Sequence, residues 1–257
     1  NKNPHGLGQT VARALGIESD QINVNPVTVG GDFGGKGAAM EEPLCCFLAM
    51  KAKRPVRLAM SYTDEFIGGA PRHGGVMTLK TGVMSDGTIV AHQMDAAFDA
   101  GGYGGFRPGA SLGGALHGAA SYRIPHVRME VKRVYTNNLP GGQMRAPAEP
   151  QGFFAAESHM DRVAREVAMD PLDFRRKNLI VNGEPTADGH HFQDIRVKET
   201  LEAAVEAAGY SDPKPVNVGR GIAIGYRGPG TGESSISVTM KSDGTVLVST
   251  PVFEPGT

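Results

Sequence analysis

The chain has 257 residues, with 26 Lys and Arg against 27 Asp and Glu, so it lacks the basic excess expected of a nucleic-acid binder. Hydrophobic residues make up 40%, which excludes a disordered tail, while 36 Gly and 17 Pro mark a loop-rich globular protein of one large or two smaller domains. The two cysteines, Cys45 and Cys46, are too few for an iron–sulfur or structural zinc site and read as core packing. No signal-peptide pattern and no membrane span is visible, which favours a reducing, cytoplasmic setting; the chain starts at Asn1 rather than Met and reads as a piece of something longer, whose lost N-terminus would hide a targeting signal.

Leu7, Val11, Ala14 and Leu15 recur at helical spacing from Gly6 to Leu15, and Gly16 supplies the stop. Ile22 to Val29 alternates around Pro26 and predicts an edge strand. It leads into the cluster Gly30-Gly31-Asp32-Phe33-Gly34-Gly35-Lys36-Gly37, followed by a buried helix over Ala38 to Lys53, with Met40, Met50 and Met60 as core. Glycines let a ligand approach bare amides, and a loop entering a helix N-terminus suits phosphate or another anion; a tight strand-to-helix turn would use the same residues. The spacing of Gly30, Gly35 and Lys36 begins a P-loop, but Gly37 stands where a Ser or Thr would hold magnesium, which argues against a nucleotide hydrolase.

Val76 to Val83 and Thr88 to Phe98 read as strands around the hairpin turn Ser85-Asp86-Gly87. Ala100 to Gly118, dominated by glycine, is expected as an ordered loop, and Val127 to Tyr135 as a further strand. A polar loop, Gln143 to Gln151, precedes a helix from Gly152 to Val167 with Phe153, Ala156, Met160, Val163 and Ala164 on its apolar face. Asp170-Pro171 caps a short helix through Asn178, whose Arg175-Arg176-Lys177 reads as a charged helix end. Asn182 to Asp194 is a polar loop, Glu199 to Ala208 an amphipathic helix, Pro213 to Val218 a linker, and Ile236 to Met240 with Val246 to Thr250 a second hairpin turned at Asp243-Gly244. The eight histidines show no metal-ligand spacing and read as structural or solvated.

Taken together, Gly30-Gly31-Asp32-Phe33-Gly34-Gly35-Lys36, the Arg145, Pro150, Gln151 element with its helix, and Asp170 to Leu179 resemble the molybdenum-cofactor subunit of the xanthine oxidase, aldehyde oxidase and aerobic carbon monoxide dehydrogenase-like family. The resemblance implies an α+β fold of mixed sheets with packed helices, part of a molybdopterin-binding subunit. It implies residues 1–212 as a first molybdopterin-binding region and 213–257 as the start of a second, incomplete one. Such enzymes hydroxylate an aldehyde or N-heterocycle carbon with water as oxygen source, the metal and pterin doing the redox chemistry and electrons passing through iron–sulfur clusters to FAD. By the same resemblance Gly31, Asp32, Phe33, Gly34, Gly35, Lys36, Arg145 and Gln151 bind the cofactor, in bacteria the molybdopterin cytosine dinucleotide form, and Arg145 also orients substrate or metal ligands. No side chain here is expected to ligate the metal, and the partners implied are an Fe-S subunit, a FAD subunit, the remaining molybdopterin-binding portion and a small-molecule substrate.

Several positions depart from the family pattern. Lys2 stands where a Gln is usual, Gly37 replaces the xanthine-type glutamate, Gly113 its arginine and Pro147 its aromatic, which disfavours purine oxidation; the loop of Arg145 lacks the cysteine of the carbon monoxide branch. The family's general base belongs to a later Gly-x-Gly-Glu motif; Gly230-Thr231-Gly232-Glu233 imitates it in the wrong place, so Glu233 is expected on the surface, Glu149 as a solvated loop carboxylate, and the base outside this chain, which stops at Phe253 to Thr257 where another cofactor element would begin. These departures keep open a second reading, a non-catalytic structural or assembly domain that has lost cofactor binding.

Overall fold

The computed structural model describes residues 1–103, 112–187, 189–227 and 232–250, and the chain divides into two compact units, 1–69 with 227–257 and 70–226. In the first unit, α1 spans Pro4–Leu15: Asn3 Oδ1 accepts the Gly6 amide at 3.0 Å, Pro4 occupies the first turn, and Gly16 closes the helix. Ile22 to Val29, expected as an edge strand, pairs with no neighbour among the described residues and so forms none; alternation favours an extended chain, but a strand needs a ladder partner.

Helix α2, Glu42–Ala52, is shorter than the expected Ala38 to Lys53 because Pro43 falls in its first turn, and a longer helix would drive the proline ring into the carbonyl four residues back. It is not buried either. Leu44, Phe47, Leu48 and Met50 are 40% to 54% exposed and Cys45 and Cys46 are half-buried, since apolar residues surround α2 without forming one stripe and α1 packs against part of it. A third helix, α3 (Tyr62–Gly68), follows a reciprocal cap in which Ser61 Oγ accepts the Asp64 amide and Asp64 Oδ2 accepts the Ser61 amide. The hairpin of β4 (Ser237–Met240) and β5 (Val246–Ser249) is antiparallel, with Asp243 Oδ1 accepting the Thr245 amide at its turn.

The second unit holds a mixed sheet of β1 (Gly75–Val83), β2 (Ile89–Gly101) and β3 (His126–Tyr135) in the order β1-β2-β3, the first pair antiparallel and the second parallel. A parallel pair needs a crossover connection. The glycine-rich stretch supplies it, and from Leu112 to Ala119 it is a 3-10 helix rather than the expected loop; Gly104, Gly105 and Gly109 lie outside the described residues. The central strand turns Met94, Ala96 and Phe98 onto Leu112, Ala115 and Ala148, while Asp95 faces the other way among Arg128, Glu130 and Lys132.

Helices α4 (Glu149–Glu166), α5 (Pro171–Asn178) and α6 (Val197–Ala207) complete the unit. Helix α4 lies so close to the 3-10 helix that a Cβ on Gly152 would stand 2.6 Å from the Ala115 carbonyl oxygen. Arg175, expected on a charged helix end, is fully buried, because its place on α5 faces Glu157 and Asp161, one turn apart on α4. Its Nη2 and Nε lie 2.9 and 3.0 Å from Glu157 Oε2, and its Nη1 lies 2.7 Å from Asp161 Oδ1. The Tyr122 hydroxyl donates to Glu157 Oε1 at 2.6 Å and the Ile224 amide to Oε2 at 2.8 Å.

His92 points into the core from β2, with Nδ1 2.8 Å from Thr81 Oγ1, which is 2.9 Å from His159 Nε2, so both histidines are structural, as expected. Burial, then the nearby His159, lowers the His92 pKa to about 4. The folded state therefore takes up this proton later than the unfolded chain, so the contribution of neutral His92 is complete above about pH 6.5 and is lost as pH falls toward 4. Urea unfolding between pH 6.5 and 4 should show a loss on the order of 3 kcal/mol that a His92→Gln variant largely lacks. Equal pH slopes in the two proteins would contradict this assignment.

Candidate functional site

The loop from Gly31 to Lys36 does not enter a helix N-terminus, contrary to the sequence expectation, since α2 begins only at Glu42. Asp32 organises it instead. Its Oδ1 accepts the Lys36 amide at 2.7 Å, its Oδ2 accepts the Gly34 amide at 3.0 Å and Lys2 Nζ at 2.6 Å, and its carbonyl accepts the Gly35 amide at 2.9 Å. Burial alone would raise the Asp32 pKa, but the hydrogen bonds from Lys2 and from the Lys36 and Gly34 amides outweigh it and hold the carboxyl below its usual range.

Lys2 also donates its backbone amide to the Lys36 carbonyl at 2.9 Å, and Lys36 Nζ donates to the Val29 carbonyl at 2.6 Å. Lys2, the departure from the family pattern, is thus the cation that balances Asp32. Three amides are used inside the loop, and those of Gly31, Asp32 and Phe33 have no partner among the described residues. Phe33 has φ 49°, a left-handed conformation uncommon for a bulky residue, and the residue is 59% exposed.

In the second unit, α4 starts at Glu149, so Glu149, Pro150 and Gln151 form its first turn rather than the end of a loop, with Pro150 where its missing N–H costs nothing. Glu149 is buried with Oε1 3.6 Å from His117 Nδ1, which corrects its reading as a solvated carboxylate. Gln151 Nε2 donates to the His73 carbonyl at 2.9 Å and its Oε1 accepts from Arg72 Nη1 at 3.4 Å. Its side chain already has protein partners on both polar atoms.

Ala146 and Ala148 flank Pro147 with φ 56° and 64°, a left-handed conformation that costs about 1–3 kcal/mol at each non-glycine residue and needs support from its surroundings. That support comes from residues 70–73. The Gly142 amide donates to the Pro71 carbonyl at 3.0 Å, Gly141 lies against the His73 ring where a Cβ would collide, and Arg72 donates through Nη2 to the Arg145 carbonyl at 2.8 Å and through Nη1 to the Ala146 carbonyl at 3.2 Å. Arg72 was not apparent as a site residue from the sequence, because a lone arginine before a strand carries no motif. The Arg145 side chain, by contrast, is exposed and makes no hydrogen bond or ion pair among the described residues.

Among the described residues, the Phe33 amide, with those of Gly31 and Asp32, in one unit and the Arg145 guanidinium in the other are donors without a protein partner. Both suit anionic oxygens, the guanidinium through a planar fork of N–H groups. Glu233 is exposed as expected, whereas Gly230, Thr231 and Phe253 to Thr257 lie outside the described residues. Among the described residues no group of three His, Cys, Asp or Glu could hold a metal ion, and no helix is long and apolar enough to cross a membrane.

Residues 1–179 match the model of the molybdopterin cofactor-binding domain family. The chain is 35% identical over 169 residues to a probable xanthine dehydrogenase subunit of Bacillus subtilis, covering 66% of this chain and 23% of that protein. It is 32% identical over 208 residues to the nicotinate dehydrogenase large molybdopterin subunit of Eubacterium barkeri, covering 80% of this chain and 49% of that one. The solved structure of the aldehyde oxidoreductase from Desulfovibrio gigas superposes with a TM-score of 0.79 at 31% identity, covering 96% of this chain and 29% of that chain, and the α+β architecture is that of the same family. The chain spans from about a quarter to a half of the length of these relatives.

Because hydrogen bonds to a charged acceptor contribute about 1.5–3 kcal/mol, Asp32→Ala should speed hydrogen exchange at the Gly34 and Lys36 amides by roughly ten-fold or more, with the amides of α1 unaffected. Exchange rates equal to those of the unaltered protein would show that Asp32 does not hold the loop.

Proposed function

The chain belongs to the molybdopterin cofactor-binding domain family, and from that premise we propose that it is part of a molybdenum hydroxylase that inserts oxygen from water at a carbon of an aldehyde or N-heterocycle. The observation that carries the proposal is the Arg145 guanidinium, exposed and unpaired among the described residues, on a strained loop clamped by Arg72. A strained backbone over-determined by its neighbours, presenting a cation committed to no protein group among the described residues, supports a ligand-binding loop over a surface turn.

The donors available fit the cofactor. A molybdopterin dinucleotide is rich in phosphate and other anionic oxygens, which a guanidinium and bare amides recognise. When bound, the cofactor supplies the metal-centred redox chemistry of hydroxylation. Arg145 would hold an anionic oxygen of the cofactor or orient the substrate, and the Phe33 amide would donate to an oxygen of the cofactor. Lys2 and Asp32 fix the shape of the glycine loop, with Gly31, Gly34, Gly35 and Lys36 serving the cofactor through that shape; Gln151 acts through Arg72 and His73. The cytosine dinucleotide form, Fe-S and FAD partners, the remaining molybdopterin-binding portion, a general base supplied from that portion and a cytoplasmic setting complete the proposal.

The competing reading, a structural domain of the same family without cofactor, draws on one observation: Asp32 occupies amides that a ligand would otherwise use. Metal and pterin analysis of the full-length protein decides between the two. The proposal expects molybdenum and a pterin in the purified protein, and at least a ten-fold loss of either, or a ten-fold rise in KM over a panel of aldehydes and N-heterocycles, on Arg145→Ala, which corresponds to about 1.4 kcal/mol. A fully assembled protein without molybdenum, or an Arg145→Ala variant with unchanged cofactor content and KM, would refute it.

A further inference from the structure

We propose that Arg72 is a positioning residue that sets where the Arg145 guanidinium lies, by holding the backbone of residues 145–146 in its left-handed path. The inference rests on the reading of Arg145 as a ligand-binding group, and goes beyond it by assigning a role to a residue on a different segment.

Arg72 is half-buried and no carboxylate pairs with it among the described residues, so its charge is committed to carbonyl dipoles. One guanidinium reaches three acceptors on one loop and the helix that follows: the Arg145 carbonyl at 2.8 Å, the Ala146 carbonyl at 3.2 Å and Gln151 Oε1 at 3.4 Å. The three acceptors are reached from two separate nitrogens, Nη1 and Nη2, of one planar guanidinium, whereas a lysine ammonium would have to reach them all from a single nitrogen. The acceptors are also the ones that matter. Ala146 is left-handed although a proline follows it, a combination that sterics disfavour, and its carbonyl is shared between Arg72 and the Glu149 amide at 3.2 Å, so Arg72 steadies both the strained residue and the start of α4. The neighbouring contacts point the same way, since Gly142 to Pro71 and Gln151 to His73 fasten the loop to the same short segment on either side of Arg72.

Two measurements on the full-length protein test the inference. In Arg72→Ala, exchange at the Glu149 amide should rise about ten-fold while the amides of α6 are unchanged, millimolar guanidinium should restore slow exchange, and Arg72→Lys should not. In the cofactor-loaded enzyme, Arg72→Ala should reproduce the KM change of Arg145→Ala, and the double variant should add nothing to either, because both act through one guanidinium. Unchanged exchange at Glu149, acceleration shared equally by α6, full restoration by lysine, or additive kinetic effects would each overturn the proposal. If Arg145→Ala alone leaves cofactor content and KM intact, the ligand-binding reading of Arg145 fails, and the exchange result still decides whether Arg72 shapes the loop.

Discussion

The second unit depends on the ion pair of Arg175 with Glu157. The donors and acceptors around it come from four segments: Arg175 from α5, Glu157 and Asp161 from α4, Tyr122 from the turn before β3 and Ile224 from the chain after α6. Leaving either charge without its partner in such a place typically costs about 3–5 kcal/mol, because the stranded group has lost its water and gained nothing. The pair therefore specifies which helices meet. With α4 fixed at its middle by this pair and along its first half by the close approach of Gly152 to Ala115, the direction of its first turn is set, and with it the place where the Arg145 loop is delivered.

That loop illustrates how a fold can hold an unfavourable backbone in order to display one side chain. Two left-handed alanines around a proline would relax in an isolated peptide. Here residues 70–73 run beside them and supply hydrogen bonds from Arg72 and an acceptor at Pro71, with glycines 141 and 142 allowing the two chains to touch. The glycine loop of the first unit solves a similar problem differently: its own Asp32 gathers the amides, and Lys2 balances the charge so that the carboxylate can be buried. In each case the polar groups that shape the loop are paired within the protein.

Much of the framework was legible in the sequence. Period-two alternation with Asp-Gly turns marked both hairpins, and Asp170-Pro171 marked the start of α5, because these signals act through neighbouring residues alone. What depended on distant partners was not. Ile22 to Val29 has the alternation of a strand but no strand to pair with, Arg175 looks like any basic helix end until α4 is laid against it, and Glu149 is buried by the 3-10 helix that brings His117 beside it. The motifs pointed to the two loops proposed as the site, while Arg72 and the Lys2 to Asp32 latch, which give those loops their shape, became visible only from side-chain geometry. The capping box at Ser61 and Asp64 was present in the sequence and is the signal by which α3 could have been found.

Family membership establishes the cofactor class, and the donors proposed for it are the Phe33 amide on one unit and the Arg145 guanidinium on the other. The most direct measurement is an experimental structure of the full-length protein purified with its native cofactor. The expected result is an anionic oxygen of the molybdopterin group within hydrogen-bond distance, about 2.7–3.2 Å, of the Arg145 guanidinium, with Ala146 and Ala148 still left-handed and Arg72 on the carbonyls of residues 145 and 146. An ordered cofactor with Arg145 turned to solvent or paired with a protein carboxylate would contradict it.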